Sequence, residues 1–258
     1  MVLIEHIFLG IVQGLTEFLP ISSTGHLVLF RQLFGLQEIG LMFDTMLHFG
    51  TLLAVVIVFW PQIRELVADP TGRLARLLVA GTIPTAVIGL LFEDYFEEIS
   101  RSGVTIGWEF LATGLILWSV ESIRKGNRRF DQIGYADALF IGTLQGAAIL
   151  PAISRSGLTI AGSLLRGIER ADAARFSFLL SLPAILGACA LQTAKLVKHP
   201  PDTATLIPML VGTICAAISG YFAIRWMLKI ISTGSMKGFA VYVWILGGII
   251  LAMQYGLM

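Results

Sequence analysis

Charge is what this sequence has least of. Only 14% of its 258 residues are Asp, Glu, Lys or Arg, against about 25% in an ordinary soluble domain. The net charge is +1, so the chain has no basic excess of the kind that gathers nucleic acid, and no nucleic-acid partner is expected. Cysteine is almost absent. Cys189 and Cys215 both lie inside apolar runs, which excludes a disulfide framework or a thiolate metal centre and leaves two small side chains buried in helices. The N-terminal stretch Met1-Val2-Leu3-Ile4-Glu5-His6-Ile7 lacks the basic region and small-residue cleavage site of a secretory leader, and is read as mature protein.

What is present is apolar sequence: 56% hydrophobic residues and a mean hydropathy of +0.82. The charges cluster between long apolar runs, a pattern for a bilayer, where a spanning helix needs about 20 mostly apolar residues. Six segments meet or approach that length, roughly 41–60, 77–93, 104–121, 175–193, 205–228 and 238–257. Two more apolar stretches, about 2–35 and 136–166, are broken near their middles by Gly, Pro, Ser, Thr and ionisable residues. Irregular backbone at membrane depth survives only when protein or a water-filled cavity surrounds it. These stretches are therefore expected to be re-entrant helix–loop–helix hairpins.

The two hairpins match each other without a gap at an offset of 132: Gly10 with Gly142, Gln13 with Gln145, Gly14 with Gly146, Ile21 with Ile153, Ser22 with Ser154, Thr24 with Ser156 and Gly25 with Gly157. A weaker match continues at 133, pairing Phe43 with Phe176 and Leu47 with Leu180. The expected architecture is an all-α polytopic membrane protein, a single membrane domain over 1–258. It is built as an inverted repeat of one re-entrant hairpin plus three transmembrane helices per half, with repeat 1 over about 1–121 and repeat 2 over about 136–258. Three spans is an odd number, so the second half inserts upside down, and such repeats place a site near the midplane where broken helices meet.

Charge orients the chain. Loop 61–76 carries Arg64, Arg73 and Arg76; loop 122–135 carries Arg124, Lys125, Arg128 and Arg129; the intervening 93–103 is acidic, with Glu93, Asp94, Glu97 and Glu98 against Arg101. The positive-inside rule puts the basic loops in the cytoplasm. Segments 166–175 (Arg166, Arg170, Arg175) and 225–237 (Arg225, Lys229, Lys237) then also fall inside, and Arg31, Arg101, Lys195 and Lys198 fall outside. Hairpin one enters from outside and hairpin two from inside. The tryptophans and tyrosines near span ends fit interface anchoring.

The hairpin turns carry the chemistry. The first reads Gln13-Gly-Leu-Thr-Glu17-Phe-Leu-Pro20-Ile-Ser22-Ser23-Thr24-Gly25-His26, and the second Gln145-Gly-Ala-Ala-Ile-Leu-Pro151-Ala-Ile-Ser154-Arg155-Ser156-Gly157-Leu-Thr159. Glu17, His26 and Arg155 are ionisable within apolar stretches, which is costly in lipid and marks functional candidates. A new helix is expected to start near Gly25 and near Gly157, each offering free N–H groups and a positive dipole end to an anion. Ser22, Thr24, Ser154, Ser156 and Thr159 supply polar groups around it, Gln13 adds an amide, and Arg155 adds a planar fork suited to phosphate. Together they predict a phosphate-type ligand held where the two hairpins meet. Glu17 is placed to act as a general base or to hold a divalent cation. Ser23 or His26 is the attacking group, with the other assisting proton transfer. Glu17 and Arg155 can equally be a buried ion pair that locks the hairpins, and His26 a helix cap; both readings stay open on sequence. Asp44 and His48 share a helix face at i and i+4, either supporting the hairpins or forming an interfacial pair. Glu109 carries no assignment, and His6 and His199 fall in no motif.

These two motifs resemble the bacterial undecaprenyl-diphosphatase family, also called bacitracin-resistance proteins. The family's (Glu/Gln)-x-x-x-Glu followed by Pro-x-Ser-Ser-Thr-Gly-His corresponds to Gln13–Glu17 and Pro20–His26, and its Pro-Gly-x-Ser-Arg-Ser-Gly followed by Thr to Pro151–Gly157 and Thr159. Many members carry Glu where this chain has Gln13, one carboxylate more, and Ala152 stands where Gly is usual. The resemblance implies hydrolysis of undecaprenyl diphosphate to undecaprenyl phosphate and inorganic phosphate, recycling the lipid carrier for peptidoglycan. It also implies a Mg2+ or Ca2+ cofactor and a plasma-membrane site open to the outer face. Bacitracin, on this resemblance, competes for the lipid and does not bind the protein. Oligomeric state is left open, a homodimer included. The acid-phosphatase type of lipid phosphatase is excluded, because the His it requires after Ser-Arg and five residues is Ala161 here. A carrier or flippase for a phosphorylated polyprenyl lipid is the competing function. It would need Arg155 and the helix ends but not a base and a nucleophile.

Overall fold

A computed structural model describes residues 2–35, 41–123, 126–196 and 203–256. Arg124, Lys125, Lys198 and His199, used above for topology or set aside, lie outside the described residues. Among the described residues the chain is helical, with a single isolated bridge between Arg128 and Ile168 as its only extended pairing.

Each interrupted stretch folds as two short helices around a turn. Helices α1 (Val2–Phe18) and α2 (Ser23–Phe34) form the first hairpin, and α8 (Tyr135–Ala147) and α9 (Arg155–Leu165) the second. The second arms start two residues earlier than Gly25 and Gly157, because Ser22 and Ser154 are the N-caps. Their hydroxyls accept from Gly25 N (3.4 Å) and Gly157 N (3.1 Å), each occupying one of the free donors of a helix start.

The expected spans appear as α3 (Leu41–Val58), α5 (Arg73–Leu91), α7 (Ile106–Glu121), α10 (Arg170–Leu196), α11 (Thr203–Thr233) and α12 (Lys237–Gln254). Among the described residues, four helices are long and apolar enough to cross a membrane, within α5, α10, α11 and α12, and a fifth if α3 and the helix after it count as one bent span. At 16 residues α7 is short for a span.

The expected loops differ more. Segment 61–76 opens on α4 (Trp60–Ala68), a helix bent 88° from α3, with a proline in its first turn where no backbone donor is needed. Segment 93–103 is α6 (Glu93–Ser102), with Glu93 and Asp94 at its positive end and Gly103 in the left-handed conformation closing it. Segment 225–237 is mostly the end of α11.

Tight crossings set the hairpins in the bundle. α1 runs parallel to α11 with Gly10 against the backbone of Gly212, and α8 runs parallel to α5 with Gly142 against the backbone of Gly81. A Cβ at Gly10 or Gly142 would collide with a carbonyl. Such small-residue contacts let helices pack in lipid, where burial alone gives no drive to associate. α7 and α12 pack antiparallel, through Gly107 against Gly247 and Gly114 against Ala240.

The basic residues collect at one end. Asp137 accepts from both terminal nitrogens of Arg128 (2.6 and 3.1 Å), from Arg166 Nε (2.7 Å) and from Gly134 N (2.9 Å). Burial alone would raise this carboxyl, but the two guanidiniums and the amide together hold it well below the usual carboxylate range. Arg170 is held by Glu121 and the Ile231 carbonyl, and Arg73 donates to the Asp131 and Ile133 carbonyls. At the other end Arg31 pairs with Asp44, and Gln254 donates to Gly103 O (3.1 Å). Cys189 and Cys215 are free and half-buried.

Candidate active site

The two turns meet tip to tip. Ser22 Oγ donates to Pro151 O (2.5 Å), and Ser156 Oγ donates to Leu19 O (3.1 Å), so each hairpin satisfies a carbonyl in the other's turn. Ser22 is the only described non-glycine residue with positive φ (65°). A side chain there is strained, and strain of this kind persists where the surroundings force it, often at a site.

Glu17 is the centre. It is buried at the last turn of α1, where Arg155, the first residue of α9, pairs with its Oε1. Its Oε2 accepts from Ser23 Oγ (2.5 Å) and from Gln13 Nε2 (3.0 Å), one helical turn back. His48 Nε2 stands 3.8 Å from the same oxygen. Gln13, Glu17, Ser23, Arg155 and His48 thus form one cluster drawn from four helices, α1, α2, α3 and α9. Two of its atoms lack a protein partner, Gln13 Oε1 and Arg155 Nη1. Buried polar groups in that state need a ligand, ion or water to complete them.

The other expected site residues lie around this cluster. His26 is not bonded to it: Nδ1 faces Ser22 O (2.6 Å) and Nε2 faces the Tyr242 hydroxyl (2.8 Å). Ser22 and Ser154 are caps, and Ser156 is a cross-hairpin donor. Thr159 Oγ1 donates to Arg155 O (2.8 Å) and lies 2.6 Å from Ser177 Oγ. Thr24 sits in the first turn of α2, partly exposed. Asp44 and His48, expected to act together, diverge. Asp44 turns to Arg31, while His48 rests Nδ1 on the Asp44 carbonyl (2.8 Å) and directs Nε2 inward.

Three supporting residues were not singled out in the sequence. Glu109 accepts from Ala152 N and Thr105 Oγ1 (both 2.6 Å). Thr113 donates to Ala152 O (2.9 Å) and accepts from Ser154 N (3.1 Å). Together they hold the second turn onto α7, and the signal that could have found Glu109 is the one that found Glu17, an acid inside an apolar span. Tyr242 gives no such signal.

The cluster matches a nucleophile–base pair beside a guanidinium: a hydroxyl bonded to a carboxylate, and a cation with a free N–H. For a divalent cation, Glu17 and the unpartnered Gln13 Oε1 are a suitable oxygen pair. No group of three His, Cys, Asp or Glu side chains gathers among the described residues, so phosphate oxygens and water would fill the remaining positions, as Mg2+ tolerates.

Known proteins point the same way. The chain is 53% identical over 252 residues to "Undecaprenyl-diphosphatase 4" of Bacillus thuringiensis (strain Al Hakam), covering 98% of this chain and 97% of the relative. It is 51% identical over 252 residues to "Undecaprenyl-diphosphatase" of Carboxydothermus hydrogenoformans, covering 97% of each. It is 46% identical over 243 residues to the protein of that name from Halothermothrix orenii, covering 93% and 94%. The family model described as bacitracin resistance protein BacA matches residues 6–249. With nearly the whole length covered, the chain belongs to the bacitracin resistance protein BacA family and is a multi-pass membrane protein.

Proposed function

We propose that this protein hydrolyses undecaprenyl diphosphate to undecaprenyl phosphate and inorganic phosphate, with Ser23 as the attacking group and Glu17 as its base. The observation that carries the roles is the 2.5 Å bond from Ser23 Oγ to Glu17 Oε2. Glu17 takes the hydroxyl proton as Oγ attacks the terminal phosphorus. The bond to the bridging oxygen breaks and releases undecaprenyl phosphate. Water then attacks the phosphoserine, giving inorganic phosphate and restoring the Ser23 hydroxyl. Arg155, with Nη1 unpartnered, grips the equatorial oxygens, as does the N-terminus of α9. A divalent cation held by Glu17 and Gln13 would neutralise diphosphate charge. His26, with both ring nitrogens engaged elsewhere, is the poorer nucleophile in this geometry and takes the assisting part in proton transfer beside Ser23. A carrier for the same lipid would have no use for the Ser23–Glu17 pair, which favours the enzyme.

An inverted repeat is the reading of the fold that accounts best for its packing, with repeats over about 1–121 and 136–258. The crossing of Gly10 with Gly212 has a counterpart in Gly142 with Gly81, and Gly14 against Ser219 a counterpart in Gly146 against Ile88. Gly107 with Gly247 has one in Gly114 with Ala240. The parallel pairing of α8 with α5, whose N-terminus carries Arg73 at the basic end, supports entry of hairpin two from the cytoplasm. With hairpin one entering from the opposite side, the reading has the site open to the outer face. The test is phosphate release by the purified protein in detergent from undecaprenyl diphosphate with Mg2+. Turnover that Ser23→Ala abolishes is expected; no release from a folded wild type refutes the reading.

A further inference from the structure

We propose that Tyr242 is a positioning residue for this reaction, fixing the orientation and tautomer of His26 from the opposite half of the chain. The proposal rests on the phosphatase reading above. A carbonyl oxygen can only accept, so the 2.6 Å contact with Ser22 O requires that Nδ1 of His26 carry a proton. In a neutral imidazole Nε2 then holds a lone pair, and the Tyr242 hydroxyl, 2.8 Å away, donates to it. The ring is held on its faces and edges too. Tyr242 stacks at 9° with centroids 5.7 Å apart, and Phe110 meets it edge-on at 5.5 Å. The strained backbone of Ser22 thereby acquires a task, since its carbonyl is the Nδ1 acceptor.

A second observation supports the assignment. Tyr242 lies on α12 and Glu109 on α7, 133 residues apart, the offset that relates Phe43 to Phe176. Glu109 braces the second turn through Ala152 N, while Tyr242 braces the first hairpin through His26. The equivalent position of each helix therefore supports a different hairpin, and only on the first does it act through a group able to exchange protons. Tyr242 is 43% exposed, so removing its hydroxyl leaves the core packing untouched.

The experiment compares wild type with Tyr242→Phe, which keeps the ring and deletes the donor. Two quantities are read in detergent: the 15N resonances of the His26 ring in labelled protein, and kcat and KM for undecaprenyl diphosphate with Mg2+. The Nε2 resonance is expected to move toward that of an unbonded ring nitrogen while Nδ1 stays protonated. The kcat value is expected to fall about 3- to 10-fold, the worth of one neutral hydrogen bond, with KM little changed. An unmoved Nε2 resonance overturns the proposal, and so does a moved resonance with full kcat. A wild type with no turnover sinks the phosphatase reading instead, so the two failures are told apart.

Discussion

Replacing Arg155 with Ala separates a working Glu17–Arg155 pair from one that only locks the hairpins. In the native site Glu17 Oε1 accepts from Arg155, and Oε2 accepts from Ser23 and Gln13. The two side chains are only 17% and 6% exposed, so water screens the pair little. Removing the guanidinium strands a buried carboxylate with two neutral donors on one oxygen. Breaking a buried pair from one side costs about 3–5 kcal/mol, a drop in thermal midpoint on the order of 10 °C for a chain of this size. Removing both charges, with Glu17→Gln in the same chain, takes the stranded charge away and recovers most of that loss. Turnover behaves differently. Both variants lose at least about 10²-fold, because neither retains the cation that meets charge developing on phosphorus. Tryptophan-fluorescence melting in detergent and phosphate release, run on the same preparations, read both quantities. A double variant as unstable as Arg155→Ala refutes the energetic argument. A double variant that regains turnover refutes the catalytic one and leaves the pair as a lock.

Ser23→Ala is expected to lose turnover and keep the wild-type melting point. Ser22→Ala is expected to keep most turnover and lose about 2–4 kcal/mol, the cost of an N-cap together with that of an unpaired buried Pro151 carbonyl; equal losses of activity in both would mean the nucleophile is misassigned. Gly10→Ala and Gly142→Ala each push a methyl into the backbone of a neighbouring helix and should destabilise comparably, by about 1–3 kcal/mol; a large effect at one and none at the other would count against the repeat. Asp137→Asn tests the basic end. The folded-state Asp137 carboxyl is held below its unfolded value, so its contribution is full above the ordinary carboxylate pKa of about 3.9 and is lost as pH falls through the depressed range. The melting difference between wild type and Asp137→Asn should stay constant from about pH 8 to about pH 5 and shrink only below about pH 4. A difference that already shrinks near neutral pH refutes this account.

The hairpins and their meeting point were legible because polar residues inside apolar runs have few physical explanations. Charge within apolar sequence singles out Glu17, His26 and Arg155; the fold brings Glu17 and Arg155 together and holds His26 on Ser22 O and Tyr242, while residue type and depth alone do not separate Ser23 from its neighbouring hydroxyls. Glycine marks the helix starts only to within two residues, because the capping hydroxyls of Ser22 and Ser154 set them in the fold. Helices α4 and α6 passed as loops because short amphipathic segments carry the same charges a loop does. The bracing by Glu109, Thr113 and Tyr242 was illegible for a different reason. Their partners are 43, 39 and 41, and 216 residues away, and no local pattern encodes a contact of that range.

That long-range bonding narrows the choice of nucleophile further than the motif could. Besides the partly exposed Thr24, the two turns and the starts of α2 and α9 offer a row of buried hydroxyls of similar intrinsic reactivity. Ser22 donates to Pro151 O, Ser156 to Leu19 O and Thr159 to Arg155 O, while Ser154 caps α9. Each of those bonds ties a hydroxyl to backbone, where it satisfies a carbonyl or amide that burial would otherwise penalise, and freeing it for attack would reopen that penalty. Ser23 alone among them directs its proton at a carboxylate. The repeated motif therefore serves two ends. One hydroxyl from each copy, Ser22 and Ser156, binds its hairpin to the other, and the positions where the copies differ, Glu17 against Ile149 and Ser23 against Arg155, put the proposed base and nucleophile on one side of the junction and a cation on the other. A symmetric pair of turns would lock equally well but would bring no acid–base pair to the anion. On the proposed mechanism the chemistry depends on that asymmetry, and exchanging Ser23 with Arg155 should preserve the crossing of the hairpins while abolishing turnover.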